Sequence, residues 1–259
     1  MKAVIIIVVA FIMLSGCSSK QEPDKASKQP DRMALTFKDI SMIAGIRRLT
    51  DLKKDMSPFF SPSGERVYFT RLITSPSADA SDTLLDITEE YFSLDYKTNK
   101  LYLLKEIPER PATKKIPADS SLSMLTDNPL FAIQTSEAIY FCSSKRAKPG
   151  FTNIYKSAND SLVQITYGRS PSYLETISPD ERYLVFYYGD NFERLVVMDL
   201  ITGQFYEIPK SRIEAKRYDF LPRFSPDGRR FVFLRSGELY RKGNVPFGDI
   251  WLVEFNEVD

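Results

Sequence analysis

The sequence predicts an all-β protein built from four copies of a four-stranded unit. Three observations support this fold class. Aromatic side chains, which favour strands, make up 13% of the 259 residues. A Ser-Pro turn motif followed by alternating apolar residues recurs along the chain. The phenylalanines that mark the copies, at 69, 141, 186 and 233, are 72, 45 and 47 residues apart. A period of about 40–45 residues is typical of four-stranded repeats.

Residues 1–16 have the pattern of a secretory signal peptide. Lys2 precedes twelve apolar residues, Ala3 to Leu14, which are fewer than the roughly 20 needed to span a bilayer. A buried first strand is the alternative for this run. Leu14-Ser15-Gly16-Cys17 resembles the bacterial lipobox, which implies cleavage before Cys17 and acylation of its sulfur. We therefore expect an exported protein, lipid-anchored at a bacterial membrane and facing the periplasm or the cell surface.

Residues 17–34 are predicted to form a flexible tether. The stretch Ser18–Ala34 contains no aromatic residue, has no apolar periodicity and includes two prolines. Seventeen coil residues have a reach of roughly 20–25 Å. Removal of Lys2 with the signal peptide leaves 34 basic and 34 acidic side chains. Such a balance argues against a nucleic-acid-binding protein, which needs a basic face to neutralise phosphates.

The repeated motif describes a β-hairpin. Proline presets the first turn position, Asp or Ser favours the second, and Gly accepts the left-handed conformation that closes a bulged turn. The alternating apolar residues that follow predict a strand with one buried face. The copies are Ser61–Phe69, Ser178–Phe186 and Ser225–Phe233, with a degenerate fourth at Ile133–Phe141.

A second turn recurs downstream of the first. Leu94–Lys100 aligns with Met198–Gln204, and Asn99 and Gly203, which both tolerate positive φ, occupy the same place. Each unit therefore has four strands, A to D, with short A–B and C–D turns. The predicted units cover about residues 57–107, 122–166, 170–208 and 217–259, the last with 46–50 added.

These motifs resemble the PD40 (WD40-like) repeat of TolB-type β-propellers. Pro222–Gly228 followed by Gly248–Trp251 matches the repeat in full, and the resemblance covers about residues 46–259. It implies that residues 35–259 form a β-propeller of four four-stranded blades. It also implies that the protein binds other proteins of the bacterial cell envelope and catalyses no reaction.

The last unit ends where its strand D should follow. Ile46–Thr50 resembles Leu162–Thr166, the strand D of the second unit, and directly precedes unit one. We expect this N-terminal strand to complete the last blade and close the ring, which removes exposed sheet edges. The alternative is that Thr36–Ile43 and part of the inserts build an irregular fifth blade.

Long connections fall on one face of the predicted propeller and make it the candidate partner-binding face. Their charged residues and the arginines that follow the marker phenylalanines are the candidate contacts. Alternatively, the basic loops are merely solvated, and the arginines pair with a neighbouring acid such as Asp249. The connections are Ile73–Thr88, Pro108–Thr126, Pro209–Arg217 and Ser236–Phe247; the candidate residues are Arg71, Arg217, Arg235, Lys210 and Arg212.

Catalysis is not expected. The sequence has no histidine, which excludes Ser-His-Asp and Cys-His nucleophiles and imidazole metal sites. Asp79, Asp82 and Asp86 lack calcium-loop spacing, so no metal and no cofactor is predicted. The alternative function is a propeller that binds or cleaves glycans with two facing carboxylates in its channel. Tyr155, Trp251 and Cys142 are expected in the core.

Overall fold

A computed structural model describes residues 42–76, 85–110, 126, 132–145, 151–167, 170–189, 194–237 and 246–256. The predicted signal peptide, Cys17 and the tether lie outside these residues. None of the described residues belongs to a helix long and apolar enough to cross a membrane. The described strands are β1 (Ile43–Arg48), β2 (Asp55–Phe60), β3 (Arg66–Pro76), β4 (Leu85–Asp95), β5 (Lys100–Leu104), β6 (Ala132–Gln134), β7 (Ile139–Ser143), β8 (Asn153–Ala158), β9 (Ser161–Gln164), β10 (Ser172–Ile177), β11 (Tyr183–Tyr188), β12 (Arg194–Asp199), β13 (Phe205–Glu207), β14 (Tyr218–Phe224), β15 (Arg230–Ser236) and β16 (Asp249–Phe255).

The strands form four antiparallel sheets of four strands each, which we call blades I to IV. Blade I contains β2 to β5, blade II β6 to β9, and blade III β10 to β13, each in sequence order. Blade IV has the order β1-β16-β15-β14. The inner strands β2, β14, β10 and β6 contact one another from blade to blade. This is the architecture of a small β-propeller, and it confirms the predicted fold class.

The first strand completes the last blade, as predicted. Strand β1 pairs antiparallel with β16 from Ile43 opposite Phe255 to Arg48 opposite Trp251. The strand begins three residues before the predicted 46–50. Ile43, which the alternative assigned to a fifth blade, is therefore part of blade IV.

Apolar side chains fill the spaces between neighbouring blades. The described residues form three buried clusters, which lie between blades III and IV, IV and I, and II and III. Phe231 and Phe233 face blade III, whereas Val232 and Leu234 face blade I. The prediction of strands with one buried face was therefore wrong for β15, because a propeller blade is covered on both sides. The four marker phenylalanines are fully buried.

The turn chemistry follows the prediction in most copies. Gly64 and Gly228 close the Ser-Pro turns with φ of 72° and 70°, and Asn99 has φ of 62°. In blade III, Glu181 takes this strained position with φ of 56°. Its carboxylate accepts a hydrogen bond from Tyr140 of blade II at 3.1 Å, which offsets part of the backbone strain.

The turn of blade II is shorter than the sequence alignment implied. Thr135 N donates to Ala138 O at 2.9 Å, whereas Ser61 N donates to Arg66 O in blade I. Thr135, rather than Ile133, therefore takes the place of the motif serine. The marker Phe141 keeps its position because the missing residues belong to the turn.

The two ends of the blades differ, and we name them by their connections. The short-turn face consists of the A–B and C–D turns, such as 61–65, 96–99, 178–182, 200–204 and 225–229. The long-loop face consists of 49–54, 105–110, 208–217, 246–248 and the projecting ends of β3 and β4. Met42 lies at the short-turn face, where its carbonyl accepts a hydrogen bond from Asn256 N at 2.9 Å.

Strands β3 and β4 continue beyond their blade as a two-stranded arm. Pairing of β2 with β3 ends at Arg71, and pairing of β4 with β5 ends at Tyr91, but β3 and β4 stay paired out to Pro76 and Leu85. Residues 72–76 and 85–90 thus project by about 16 Å from the long-loop face. The predicted loop Ile73–Thr88 is therefore in part a β-ribbon, since the pairing of β3 with β4 continues into both of its ends.

The structure requires glycine at position 248, the first residue of the Gly-Asp-Ile-Trp sequence. A Cβ on this residue would lie 2.2 Å from the backbone oxygen of Arg235, so only glycine fits without moving a strand. Gly248 also exchanges backbone hydrogen bonds with Asp55 at 2.8 and 3.1 Å, which joins blade IV to blade I. The close approach of three backbone segments therefore requires the glycine.

We expect Gly248→Ala to lower the free energy of unfolding by about 3 kcal/mol, because backbone rather than a flexible side chain must move. Equilibrium urea denaturation measures this change. Gly237→Ala is the matched control on the same connection, since a Cβ there would meet nothing within 4 Å. Equal stability of the two variants would contradict the steric argument.

Candidate functional site

Two buried arginine–aspartate pairs lie beneath the long-loop face. Arg71 donates to Asp55 from Nε at 2.5 Å and from Nη2 at 3.0 Å. Arg235 donates to Asp219 in the same bidentate geometry, at 2.7 and 3.1 Å. Arg71 is 8% exposed and Arg235 is 1% exposed. Both pairs occupy equivalent positions in blades I and IV, with their acids on strand A and their arginines on strand B.

The burial of these arginines corrects their interpretation as rim residues that contact a partner. Each guanidinium group is paired with a carboxylate of its own blade and is largely buried. The alternative, pairing with a neighbouring acid, is confirmed, but the acids are Asp55 and Asp219 rather than Asp249. The identical separation of the two pairs in sequence is the signal that could have predicted them.

The basic loop 208–217 is largely tied into the protein. Lys210 Nζ donates to the carbonyl of Arg217 at 2.7 Å and lies 3.8 Å from Asp219. Glu214 accepts from Arg235 at 3.3 Å. Burial by itself would raise the pKa of Glu214, but hydrogen bonds from Ser211 and the charge of Arg235 outweigh it and lower that pKa.

Asp249 holds three connections together. It is fully buried, accepts a hydrogen bond from Lys53 N at 2.8 Å, and lies 3.5 Å from Arg217 and 3.8 Å from Arg48. The loops 49–54 and 208–217 and the start of β16 are therefore fixed to one another. The charge of Arg217 is thus paired inside the protein. Among the five candidate residues, Arg212 is the exposed one.

The long-loop face exposes large apolar side chains. Ile213 is 87% exposed, Ile87 on the arm 65%, Leu52 53% and Phe247 36%. At the short-turn face, Ile201 is 76% exposed. Scattered exposed residues are ordinary, but four on one face indicate an interaction surface. Composition and motif analysis missed them because their loops follow no apolar period.

A second cluster lies near the axis, on the inner strands. Glu175 of β10 is 20% exposed and lies 3.9 Å from Arg223 of β14. It occupies the bulge position that holds Pro58 in blade I and Pro222 in blade IV. Burial raises the pKa of the Glu175 carboxyl to about 7, and the charge of Arg223 opposes the rise.

Arg110 adds a second cation to this axial cluster. Its guanidinium lies 5.5 Å from the ring centroid of Phe59 on β2. Burial and then the nearby charge of Arg223 lower its pKa. Among the described residues, the axial cluster thus combines one carboxyl with two guanidinium groups, which differs from the two facing carboxyls of a glycosidase.

The remaining predictions concern core residues and metals. Tyr155 and Cys142 are buried as predicted, and Trp251 is partly buried and stacks on Phe233 at 6.4 Å. The Cys142 thiol also accepts from Leu174 N at 3.0 Å and so links blades II and III. Within the described residues, no group of three or more Cys, Asp and Glu side chains could hold a metal. Asp79 and Asp82 lie outside the described residues.

Comparisons with known proteins give weak similarities. The chain matches no family model and no curated protein. It is similar to TolB from Acinetobacter baumannii at 20% identity and a TM-score of 0.30, over 81% of this chain and 45% of TolB. It is similar to the propeller domain of the Trilobed protease from Pyrococcus furiosus at 12% identity and a TM-score of 0.32, over 81% of this chain and 59% of that domain. It is similar to dipeptidyl peptidase 4 of Porphyromonas gingivalis at 10% identity and a TM-score of 0.33, over 69% of this chain and 33% of the peptidase.

The chain therefore spans less than two thirds of each of these proteins. TM-scores of this size add nothing to the assignment of the fold, which rests on the four sheets described above. Activities and partners of those proteins do not transfer to this chain on such similarity.

Proposed function

We propose that this protein is a lipid-anchored scaffold of the bacterial cell envelope whose propeller binds a protein at its long-loop face and catalyses no reaction. The observation that carries the proposal is the difference between the two faces. One face consists of tight turns, whereas the other has a projecting arm, two loops held by Asp249 and four exposed apolar side chains. Surfaces of this kind are typical of protein–protein interfaces.

The topology suits presentation of this face away from a membrane. The chain enters β1 at the short-turn face. Strands of seven residues place the long-loop face about 23 Å further along the axis. Residues that precede β1 therefore join the propeller at the end opposite the long-loop face.

The repeat motifs support the same proposal. Their resemblance to PD40 repeats of TolB-type propellers implies protein partners in a bacterial envelope. The charged groups beneath the long-loop face also fit a structural role, since the carboxylates Asp55 and Asp219 are engaged by arginines. Among the described residues of the axial cluster, Glu175 is paired with the guanidinium of Arg223, whereas a glycosidase needs two facing carboxyls.

Cys17→Ser tests the anchor and the scaffold together. We expect the variant to leave the detergent phase in Triton X-114 partitioning, because acyl chains supply about 0.8 kcal/mol per buried CH₂. The released protein should still co-purify with the protein captured by the wild type, since the propeller holds the binding face. Cys142→Ser, which changes a buried thiol, should partition like the wild type.

Each half of the proposal can fail separately. Unchanged partitioning of Cys17→Ser would contradict the anchor. Turnover of a glycan without capture of any protein would contradict the scaffold.

A further inference from the structure

The long-loop face carries two surfaces with complementary chemistry. The basic patch consists of the exposed Leu52, Ile213 and Phe247 together with the exposed cations Lys53, Arg212 and Lys216, and it contains one exposed acid, Asp51. The acidic arm consists of residues 72–76 and 85–90. It exposes Ile87 and Glu89, and the sequence has no Lys or Arg between Arg71 and Lys97.

The basic patch is preformed. Asp249 accepts from Lys53 N at 2.8 Å and lies 3.5 Å from Arg217, so the loops that carry Leu52 and Ile213 are held together. The carbonyl of Phe247 accepts from Ser236 Oγ at 2.7 Å. Little conformational entropy is lost when such a fixed surface binds a partner, which favours association.

The acidic arm lies beside the patch in the same molecule. Leu72 N donates to Lys54 O at 2.9 Å, and Lys54 Nζ donates to Thr74 Oγ1 at 3.0 Å. Thr74 is opposite Ile87 in the ribbon, and paired residues share one side of a sheet. The side of the arm that exposes Ile87 and Glu89 therefore faces the loop that carries Leu52.

We propose that the protein bound at this face is a second copy of the chain, in a two-fold dimer in which the arm of each copy lies on the basic patch of the other. The inference rests on the proposed function, because it names the partner of the same face. In a two-fold interface each copy offers both surfaces, and here one face offers an acidic apolar arm and a basic apolar patch. The apolar side chains form the centre and the opposite charges the rim, as in stable interfaces.

The charges make a second copy a better occupant than a membrane. The mature sequence is predicted to have no net charge, which removes the repulsion between copies. A bilayer on the basic patch would also meet the acidic arm at the same face. Anionic headgroups repel such an arm.

Charge reversal tests the dimer by sedimentation velocity of the full-length protein in detergent solution. The arm variant carries Glu89→Lys, and the patch variant carries Arg212→Glu and Lys216→Glu. Each variant alone should dissociate, with the dissociation constant raised at least tenfold, because like charges then face each other. Mixed in equal amounts, the two variants should form a heterodimer, since every arm then meets a patch of opposite charge.

Matched variants separate the interface from general effects. Ile213→Ser should weaken the dimer about tenfold, because a large apolar side chain loses its buried contacts. Ile201→Ser, at the short-turn face, should leave it unchanged, as should the charge reversals Glu65→Lys and Arg229→Glu at the same face. Dissociation by these controls to the same degree would overturn the assignment of the interface.

Other outcomes would overturn the dimer and leave the proposed function standing. A wild type that stays monomeric but still captures a different envelope protein assigns the face to that protein. Failure of the mixed variants to associate removes the arm-on-patch geometry. Binding to phosphatidylglycerol vesicles that is lost in Ile213→Ser assigns the patch to a membrane.

Discussion

Replacing Arg235 with methionine should lower the free energy of unfolding by about 3–5 kcal/mol, the usual cost of removing one partner of a buried ion pair. The substitution leaves Asp219, which is 1% exposed, with its charge buried and its bidentate partner gone. It also removes the donor to Glu214 and to the carbonyl of Pro209. Equilibrium urea denaturation followed by tryptophan fluorescence measures the change, because Trp251 stacks beneath the Arg235 guanidinium at 4.7 Å.

Two further variants identify the cause. Combining Arg235→Met with Asp219→Leu removes the carboxylate that has lost its bidentate partner and should recover most of the lost stability, because apolar replacements of a whole buried pair are often neutral. Arg212→Met is the matched control on the same face and should change the free energy of unfolding by less than about 0.5 kcal/mol, since Arg212 is exposed. A loss below about 1 kcal/mol in the single variant would show that the pair contributes little.

This result would also separate a structural role from a binding role. Sequence reasoning treated Arg71 and Arg235 as contacts for a partner, on the grounds that they follow the marker phenylalanines at the end of strand B. The structure places each beside an aspartate of strand A in the same blade. A reversal of charge at Arg235 is therefore a test of folding, and surface residues such as Arg212 and Lys216 are the ones that can test binding.

The parts of the fold that depend on local chemistry could be predicted from the sequence. Turn positions that require positive φ are visible as Gly64, Gly228, Asn99 and Gly203, and all four have it. The period of the marker phenylalanines predicted the four blades, because one buried aromatic residue per blade recurs at the same place in strand B.

The parts that depend on contacts between blades could not be predicted in this way. Glu181 keeps the strained turn conformation without a glycine because Tyr140 of blade II and Lys156 bind its carboxylate. Glu175 replaces a repeat proline at a bulge, and its proximity to Arg223 arises only when two blades pack. The sequence indicates a loop at the arm, because Ile73–Thr88 is not rich enough in alternating apolar residues to make a blade.

Deleting residues 35–50 should prevent stable folding, whereas deleting residues 18–33 should leave the melting temperature unchanged. The first deletion removes β1 with its flanking residues, of which Met42, Ile43 and Leu49 are buried between blades. Burial of three such side chains contributes about 5–9 kcal/mol, which is comparable with the whole stability of a domain. The second deletion removes only predicted tether.

The loss should be specific to the edge that β1 covers. Its removal exposes the backbone of β16 from Trp251 to Phe255 and frees Ile250, whose carbonyl accepts from Leu49 N at 2.7 Å. An open edge of this kind promotes aggregation, so the truncated protein should sediment as large species. A synthetic peptide of residues 40–52 added during refolding should restore a soluble monomer or dimer by pairing with β16. Equal melting temperatures for the two truncations, measured by circular dichroism, would contradict closure of the propeller by its first strand.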